Sequence, residues 1–245
     1  MNARYGVSMQ MTLKCAAPHR VVLVIVTVIV VSMTAVLSQD AQAQYDPESL
    51  RTVAVHVLQD PPQSWTGYGI YLRDGLVITA AHVVGAATRA KPSIDIAGEV
   101  LPAKVLKESP FEKDDLTLLG FAGQSLPVSL RMRRTPLCEA PPIAGEPVLV
   151  AIPEGTAPSH IMPPKLLPRQ YQVRFSTVIT DVATTGNSGS GVFRARHRCL
   201  LGIMSRKIQL RLNGDQSNGL KDLAKYFVPA STIRSFLPLE YRNLE

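Results

Sequence analysis

The sequence predicts an antiparallel all-β domain, and three observations support this prediction. Short runs of β-branched or alternating apolar residues recur along the chain and are bounded by turn residues. Asp74-Gly75 lies between two such runs, which is a strong hairpin signal. The strand-like runs do not alternate with long helical periods, as a doubly wound sheet would require.

The predicted elements follow one another closely after residue 50. The strand-like runs are residues 52–58, 67–72, 76–79, 100–107, 116–121, 147–152, 171–178, 191–193, 201–204 and 226–228. Residues 153–168 are rich in proline and predict a surface loop, and Asn213-Gly214 predicts a further turn. Residues 229–237 predict a short terminal helix, for which Ser231 or Thr232 can serve as the cap.

Length and composition place the chain among globular proteins. It has 245 residues, of which 46% are hydrophobic and 18% are charged, so it can bury a core and is not disordered by composition. This length fits one large domain or two small ones.

The N-terminal segment has the three parts of a secretory signal peptide. Lys14 and Arg20 precede the apolar run 21–37, and small residues at Ala41 and Ala43 follow it. We therefore predict a signal peptide at residues 1–43, a mature domain at residues 44–245, and a periplasmic or secreted location. The alternative is an uncleaved membrane anchor, because 17 apolar residues are at the lower limit for spanning a bilayer.

The charge of the mature region does not favour a nucleic-acid partner. Without residues 1–43 the chain keeps 23 basic and 18 acidic residues, a modest excess of +5. The densest basic cluster, RMRR at residues 131–134, predicts a solvated loop, and no nucleic-acid-binding motif accompanies it. A basic binder of anionic surfaces or of nucleic acid is an alternative that rests on this excess and on RMRR alone.

The cysteines of the mature region suggest one disulfide and no metal site. Cys138 and Cys199 form an even pair in a chain predicted to be exported. Neither a C-x-x-C spacing nor an H-E-x-x-H motif is present, so we expect no metal and no cofactor.

Three residues could together activate a nucleophile. His82 follows an apolar strand, with the small residues Ala80 and Ala81 before it, and Asp115 immediately precedes another apolar strand. Ser188 lies among glycines that allow backbone N–H groups to converge on one point. A serine hydroxyl needs a general base within reach, and an acid can orient that base. A flexible Gly/Ser linker is the alternative for residues 184–192.

These segments resemble the trypsin-like (chymotrypsin-fold) serine proteases. GYGIYLRDGLVITAAHVV is similar to the histidine block of that family, KDDLTLLGF to its aspartate block, and GNSGSGVF to its serine block. The chain order His, Asp, Ser is also that of the family. The serine block most resembles that of the bacterial HtrA-like branch, although no PDZ-like region follows.

The resemblance implies two packed antiparallel β-barrels with a short C-terminal helix and a catalytic cleft between them. His82 would take the proton of Ser188, Asp115 would fix the tautomer of His82, and the backbone N–H groups of Gly186 and Ser188 would form the oxyanion hole. The pair Cys138 and Cys199 also resembles a disulfide that ties the second barrel in animal members of the family.

Some residues depart from the pattern of the family. Asn187 replaces the aspartate that zymogen-type members use for activation, so we expect no activation by that route. By the same resemblance Val182 and Ser205 would line the specificity pocket, which favours a small or apolar substrate side chain. Asp181 keeps a basic preference open.

The function that the sequence predicts is an exported serine endopeptidase. It would act on protein or peptide substrates as a monomer, without a cofactor and without membrane contact once the signal is cleaved. The alternative is a non-catalytic binding protein on a trypsin-like fold.

Overall fold

The computed structural model describes residues 48–59, 67–85, 91–180, 188–211 and 220–242. The predicted signal peptide and the Asn213-Gly214 turn lie outside these residues. Within them, no helix is long and apolar enough to cross a membrane.

The first half of the described chain is a closed antiparallel barrel in the order β1-β2-β3-β6-β5-β4. Its strands are β1 (Ala54–Leu58), β2 (Gly67–Arg73), β3 (Leu76–Thr79), β4 (Ser93–Ile96), β5 (Glu99–Ser109) and β6 (Leu116–Phe121). Asp74 and Gly75 form the turn between β2 and β3, so the hairpin prediction is confirmed. Every residue of β3 is buried, whereas β5 exposes much of its length.

The second half forms another closed barrel, in the order β10-β11-β12-β9-β8-β7. Its strands are β7 (Pro147–Ile152), β8 (Gly155–Met162), β9 (Val178–Ile179), β10 (Gly191–Arg194), β11 (Leu200–Arg211) and β12 (Leu220–Pro229). A β-bulge lies between Met204 and Arg206 of β11. The predicted fold class, two packed antiparallel barrels, is confirmed.

Short helices connect and flank the barrels. They are α1 (Glu48–Arg51), α2 (Ala81–Val84), α3 (Val128–Arg131), α4 (Arg169–Gln172) and α5 (Ala230–Phe236). The terminal helix α5 confirms the predicted helix, although its N-cap is Pro229 and not Ser231 or Thr232, and it buries Ile233 and Phe236 in the larger hydrophobic core. This burial attaches the end of the chain to the body of the domain.

Two local predictions are wrong. The predicted proline-rich loop 153–168 contains strand β8, which pairs with β7 along its whole length. Proline has no backbone N–H to donate to a neighbouring strand. Pro158 is tolerated in β8 because the second neighbour of β8, strand β9, pairs only with Ile161 and Met162, so no strand needs a hydrogen bond from Pro158 on that side. Of the predicted strand 171–178 only Val178 lies in a strand, β9, because helix α4 begins after Pro168 and runs to Gln172, and turns and bends occupy most of residues 173–177.

Candidate active site

His82 lies at the start of α2, directly after the buried strand β3. Ala80 is extended and Ala81 begins the helix, and both are buried. Because these side chains are small, the backbone can turn close to the core and present the imidazole at the strand end. The side chain of His82 remains about one third exposed, at 32%.

Asp115 is fully buried at the entrance to β6. Its φ of +54° is in the left-handed region, which aspartate tolerates better than most residues. The turn before it is fixed by its backbone N–H, which donates to Pro110 O at 3.0 Å. The carboxylate therefore lies at the end of the first barrel and not in solvent, with a relative exposure of 0%.

The structure brings His82 and Asp115 into direct contact. The imidazole Nδ1 lies 3.0 Å from Asp115 Oδ1 and 2.9 Å from Oδ2, and the backbone N–H of His82 donates to Oδ1 at 3.1 Å. An ionised carboxylate only accepts hydrogen bonds, so Nδ1 carries a proton. In neutral His82, Nε2 is then the basic nitrogen and points away from the carboxylate.

Ser205 links this pair to Ser188. The Ser205 hydroxyl is buried and donates to Asp115 Oδ2 at 2.5 Å, while its backbone oxygen accepts the Ser188 hydroxyl at 3.3 Å. The bulge in β11 falls at this residue. The sequence predicted Ser205 only as a wall of the specificity pocket, and its contact with Asp115 was not predicted.

Both barrels fix the turn that carries Ser188. Tyr68 N, from the first barrel, donates to Ser188 O at 2.9 Å, and Gly189 N donates to Met204 O of the second barrel at 2.8 Å. Gly189 has a φ of +87°, and a Cβ atom there would lie 1.7 Å from Tyr68 O. Only glycine fits this position, so the part of the turn that the structure describes is not a flexible linker.

The hydroxyl of Ser188 points to Ser205 and not to the imidazole. Within the described residues, no hydrogen bond joins Ser188 Oγ to His82. The other predicted residues of the serine loop, Gly186 and Val182, lie outside the described residues, as do Asp181 and Asn187. The oxyanion hole and the specificity pocket remain predictions.

Arg206 and Phe111 adjoin the pair of His82 and Asp115, and the sequence did not predict this. The guanidinium of Arg206 lies 3.9 Å above the Phe111 ring, and its Nη2 donates to Phe111 O at 2.9 Å. The Phe111 ring meets the imidazole of His82 edge-on, with 5.4 Å between ring centroids. The only sequence signal is a basic pair, Arg206-Lys207, that follows an apolar stretch of β11.

The electrostatics of this group centre on the buried carboxylate. Arg206 Nη2 lies 3.9 Å from Asp115 Oδ2, and Arg206 Nε donates to the Ser205 hydroxyl at 3.2 Å. Burial lowers the pKa of the Arg206 guanidinium from its usual value, and the charge of Asp115 acts in the opposite direction. An arginine remains charged despite such a shift.

Cys138 and Cys199 form a disulfide beside the second barrel. Cys138 and Cys199 are bonded, with 4.9 Å between their Cα atoms. The adjacent backbone is also paired, since Cys138 N donates to Leu200 O at 3.0 Å. The bond attaches the segment before β7 to the residue that directly precedes β11, the strand that carries Ser205.

Comparison with known proteins identifies the family. A family model described as a trypsin-like peptidase domain matches residues 67–203, and no curated protein matches the chain. The fold is similar to that of the Rv3671c protease from M. tuberculosis (TM-score 0.54, 17% identity, 78% of this chain and 81% of that one).

Two further solved structures share the fold. One is kallikrein-related peptidase 10, with a TM-score of 0.55 and 14% identity over 78% of this chain and 96% of that one. The other is the serine endoprotease from Yersinia pestis, with a TM-score of 0.51 and 17% identity over 76% of this chain and 61% of that one. At these identities the structural likeness concerns the fold, whereas the family model covers more than half of the chain. The chain therefore belongs to the trypsin-like peptidase family, and it is a hydrolase of the serine endopeptidase class.

Proposed function

We propose that the protein is exported and cleaves peptide bonds with Ser188 as nucleophile, His82 as general base and Asp115 as the group that orients the base. One observation carries this proposal. A fully buried carboxylate holds the Nδ1 side of His82 and is connected through Ser205 to the hydroxyl of Ser188. A structural ion pair would not need a nucleophilic side chain within the same network.

The hydroxyl of Ser188 has to turn before it can react. Rotation about the Cα–Cβ bond exchanges staggered positions, and this moves Oγ away from Ser205 O. The 3.3 Å bond to that oxygen is long for a hydroxyl donor, so little energy opposes the rotation. Catalytic hydrogen bonds are often loose before substrate binds, and the rotation completes the arrangement.

The reaction then follows in two halves. Nε2 of His82 takes the proton of Ser188 Oγ, and Oγ bonds to the substrate carbonyl carbon. The same proton passes to the leaving nitrogen as the peptide bond breaks, which leaves an acyl ester on Ser188. Water repeats the sequence, giving its proton to His82 and its oxygen to the acyl carbon, and Ser188 recovers its hydrogen. The backbone N–H groups of Gly186 and Ser188 are expected to bind the oxyanion.

Export is supported by the disulfide and by the N-terminal segment. Disulfides persist in oxidising compartments, and residues 1–43 have the pattern of a signal peptide. N-terminal sequencing of the exported protein tests this part. A start at Gln44 supports cleavage, and a retained residue 1 supports the membrane-anchored alternative.

A non-catalytic binding protein is the second candidate. It is favoured by the hydrogen bond from Ser188 Oγ to Ser205 O. Among the residues that the structure describes, Nε2 of His82 has no hydrogen-bond partner. A serine that never reaches the imidazole would not be activated. Reactivity of Ser188 separates the two candidates.

The test is covalent labelling of the exported protein with a fluorophosphonate probe, followed by peptide mapping. We expect one labelled serine, Ser188, and no labelling of the Ser188→Ala variant. Ser190→Ala is the matched control, because Ser190 is two residues away and fully buried, and it should still label. Labelling that persists in Ser188→Ala refutes the nucleophile, and no labelling of the wild type favours the binding protein.

A further inference from the structure

An exposed apolar pair on the surface around helix α3 takes no part in the proposed mechanism. Val128 is 62% exposed and Met132 is 72% exposed. The backbone N–H of Met132 donates to Val128 O at 2.9 Å, so the two residues are one helical turn apart and share a face. Exposed apolar surface that is rimmed by polar residues is typical of an interaction site.

Three arginines adjoin this pair. Together they form a surface that we call the α3 patch, which consists of Val128, Arg131, Met132, Arg133 and Arg134. Arg131 is exposed and follows Val128 by three positions, so the two side chains are neighbours on the helix. Arg134 is exposed as well, and Arg133 is half-buried. The segment 116–138 contains no acidic residue, so the only charges that it contributes are positive.

The α3 patch continues onto helix α1, at the start of the described chain. Arg133 Nη2 donates to Ser49 O at 2.9 Å, and Arg198 Nη1 donates to Ser49 Oγ at 3.0 Å, so two guanidinium groups meet at this helix. Helix α1 begins at Glu48, ten residues after the end of the apolar run 21–37. A signal peptide stays in the membrane until it is cleaved, so α1 is the described element closest in sequence to the membrane-inserted segment.

The carboxylates near the patch do not neutralise it. Asp74 Oδ1 lies 3.1 Å from Arg134 Nη2, but Asp74 Oδ2 lies 3.0 Å from Arg73 Nε, so one carboxylate serves two guanidinium groups. Glu48 pairs with Arg51 at 2.7 Å. Each of these carboxylates is matched or outnumbered by arginine, so the face keeps an excess of positive charge.

The patch adjoins the end of strand β2 that is away from the candidate nucleophile. The backbone N–H of Thr135, the residue after the patch, donates to Leu72 O at 2.9 Å. Tyr68, four residues earlier on β2, donates to Ser188 O at 2.9 Å. At about 3.3 Å per residue, these two points on β2 are about 13 Å apart. A partner bound to the patch therefore leaves the surroundings of Ser188 open.

We propose that the α3 patch binds the surface of a membrane that contains anionic phospholipids. The arginines pair with the phosphate groups of the lipids, and the side chains of Val128 and Met132 enter the apolar layer below them. This inference goes beyond the proposed function and uses only its export. It replaces the expectation from the sequence that the cleaved protein has no membrane contact.

The apolar pair favours a membrane over a nucleic acid. Arginines bind the phosphate groups of either partner. A nucleic-acid backbone offers nothing apolar to Val128 and Met132, whereas the boundary of the acyl layer takes up such side chains. The sequence also carries no nucleic-acid-binding motif.

The experiment is sedimentation of the exported protein with lipid vesicles. We expect it to bind vesicles of phosphatidylcholine and phosphatidylglycerol in equal parts, and not vesicles of phosphatidylcholine alone. The double variant Arg131→Gln, Arg134→Gln should weaken binding roughly 20-fold, about fivefold for each arginine. Met132→Gln should weaken binding about tenfold, because it removes an inserted apolar side chain.

Arg169→Gln, Arg174→Gln is the matched control, because both arginines are exposed in or beside helix α4 and the net charge changes equally. It should bind as the wild type does. An equal loss in the two double variants overturns the inference, and so does tighter binding to a DNA duplex than to the anionic vesicles.

Two results with the wild type alone are also decisive. Equal sedimentation with both kinds of vesicle, or none with either, overturns the inference whether or not any variant folds. Vesicle binding is measured without substrate, whereas the proposed function fails if fluorophosphonate does not label Ser188. The two failures are therefore distinguishable.

Discussion

The guanidinium of Arg206 lies 3.9 Å from Asp115 Oδ2, the same oxygen that accepts the Ser205 hydroxyl. A cation, a hydroxyl and the imidazole of His82 therefore share one carboxylate that has no access to water. The arginine is itself held by Phe111, through ring stacking and a hydrogen bond to its carbonyl. The charge of Asp115 is thus compensated from the second barrel as well as from the first.

Arg206→Met should lower kcat/KM by about tenfold. It removes the cation that lies 3.9 Å from Asp115 Oδ2 and that donates to the Ser205 hydroxyl, so Asp115 is held less firmly beside His82. The measurement is kcat/KM with a peptide substrate.

Arg174→Met is the control for this effect, because Arg174 is exposed and lies over Phe175 rather than beside Asp115. It removes the same charge but should leave kcat/KM nearly unchanged. An equal fall in the two variants would mean that only the overall charge of the protein matters.

Ser205→Ala should lower both stability and activity. It removes the hydroxyl that Asp115 Oδ2 accepts, and the loss of a hydrogen bond to a buried charge costs about 1–3 kcal/mol of the free energy of unfolding. We expect kcat/KM to fall as well, by about tenfold, since Asp115 is then held less firmly. Chemical denaturation and peptide hydrolysis measure the two effects.

Ser159→Ala provides the comparison, because Ser159 is also buried but donates to Thr180 O, away from Asp115. It should lower stability by about 1 kcal/mol without changing kcat/KM. If Ser159→Ala reduces activity as much as Ser205→Ala does, the effect of Ser205 is one of general stability.

Gly189→Ala should abolish fluorophosphonate labelling. A Cβ atom at this position would lie 1.7 Å from Tyr68 O, so the turn must move away from the first barrel. Gly98→Ala is a matched control, since Gly98 also has a positive φ, +81°, but a Cβ atom added there would have no other atom within 4 Å. That variant should lose only about 1 kcal/mol of stability and should label normally. Normal labelling of Gly189→Ala would contradict the structure of the turn.

Local patterns predicted an antiparallel all-β domain because most of the strands carry their own signal, whereas the two barrels were implied by the family resemblance. The buried residues of β3 and the Asp-Gly turn before it are visible in a few consecutive residues. The failures arise where pairing with a distant strand decides the structure. Pro158 resembles a loop residue, and only the sparse pairing of β8 with β9 explains why a strand accepts it.

The candidate site was predictable only in part. His82, Asp115 and Ser188 are adjacent to recognisable motifs, and the contact between His82 and Asp115 is as expected. The contact between Arg206 and Phe111 joins residues 95 positions apart, and no pattern in the sequence pairs them. The role of Ser205 depends on a bulge in β11, which the sequence does not reveal.

The stability of the protein should increase above pH 8 because of Lys225. Burial lowers the pKa of this lysine to about 8, and repulsion from Lys207 adds to the effect, whereas Asp222 opposes it. In the unfolded chain a lysine titrates near 10.4. The cost of burying the charge is therefore fully present below about pH 8 and disappears as the pH rises toward about 10.4.

The measurement is the free energy of unfolding of the wild type and of Lys225→Met between pH 7 and pH 10.5. The wild type should gain up to about 3 kcal/mol relative to the variant over the upper part of this range. A difference between the two proteins that does not change with pH would show that Lys225 is not buried as a cation.

Removal of the disulfide should destabilise the protein without displacing the residues around His82. The bond between Cys138 and Cys199 spans 61 positions, and the chain-entropy relation gives about 4 kcal/mol for a loop of this length. The double variant Cys138→Ala, Cys199→Ala should therefore unfold at a lower denaturant concentration but still label at Ser188. A loss of labelling in the folded double variant would show that the bond also shapes the site.

The central claim is that Ser188 is the nucleophile of an endopeptidase. It is tested most directly by incubating a library of peptides with the exported protein and with its Ser188→Ala variant, and sequencing the products. We expect new termini from internal cleavage with the wild type and none with the variant. Equal cleavage by both proteins, or intact peptides after incubation with the wild type, would contradict the claim.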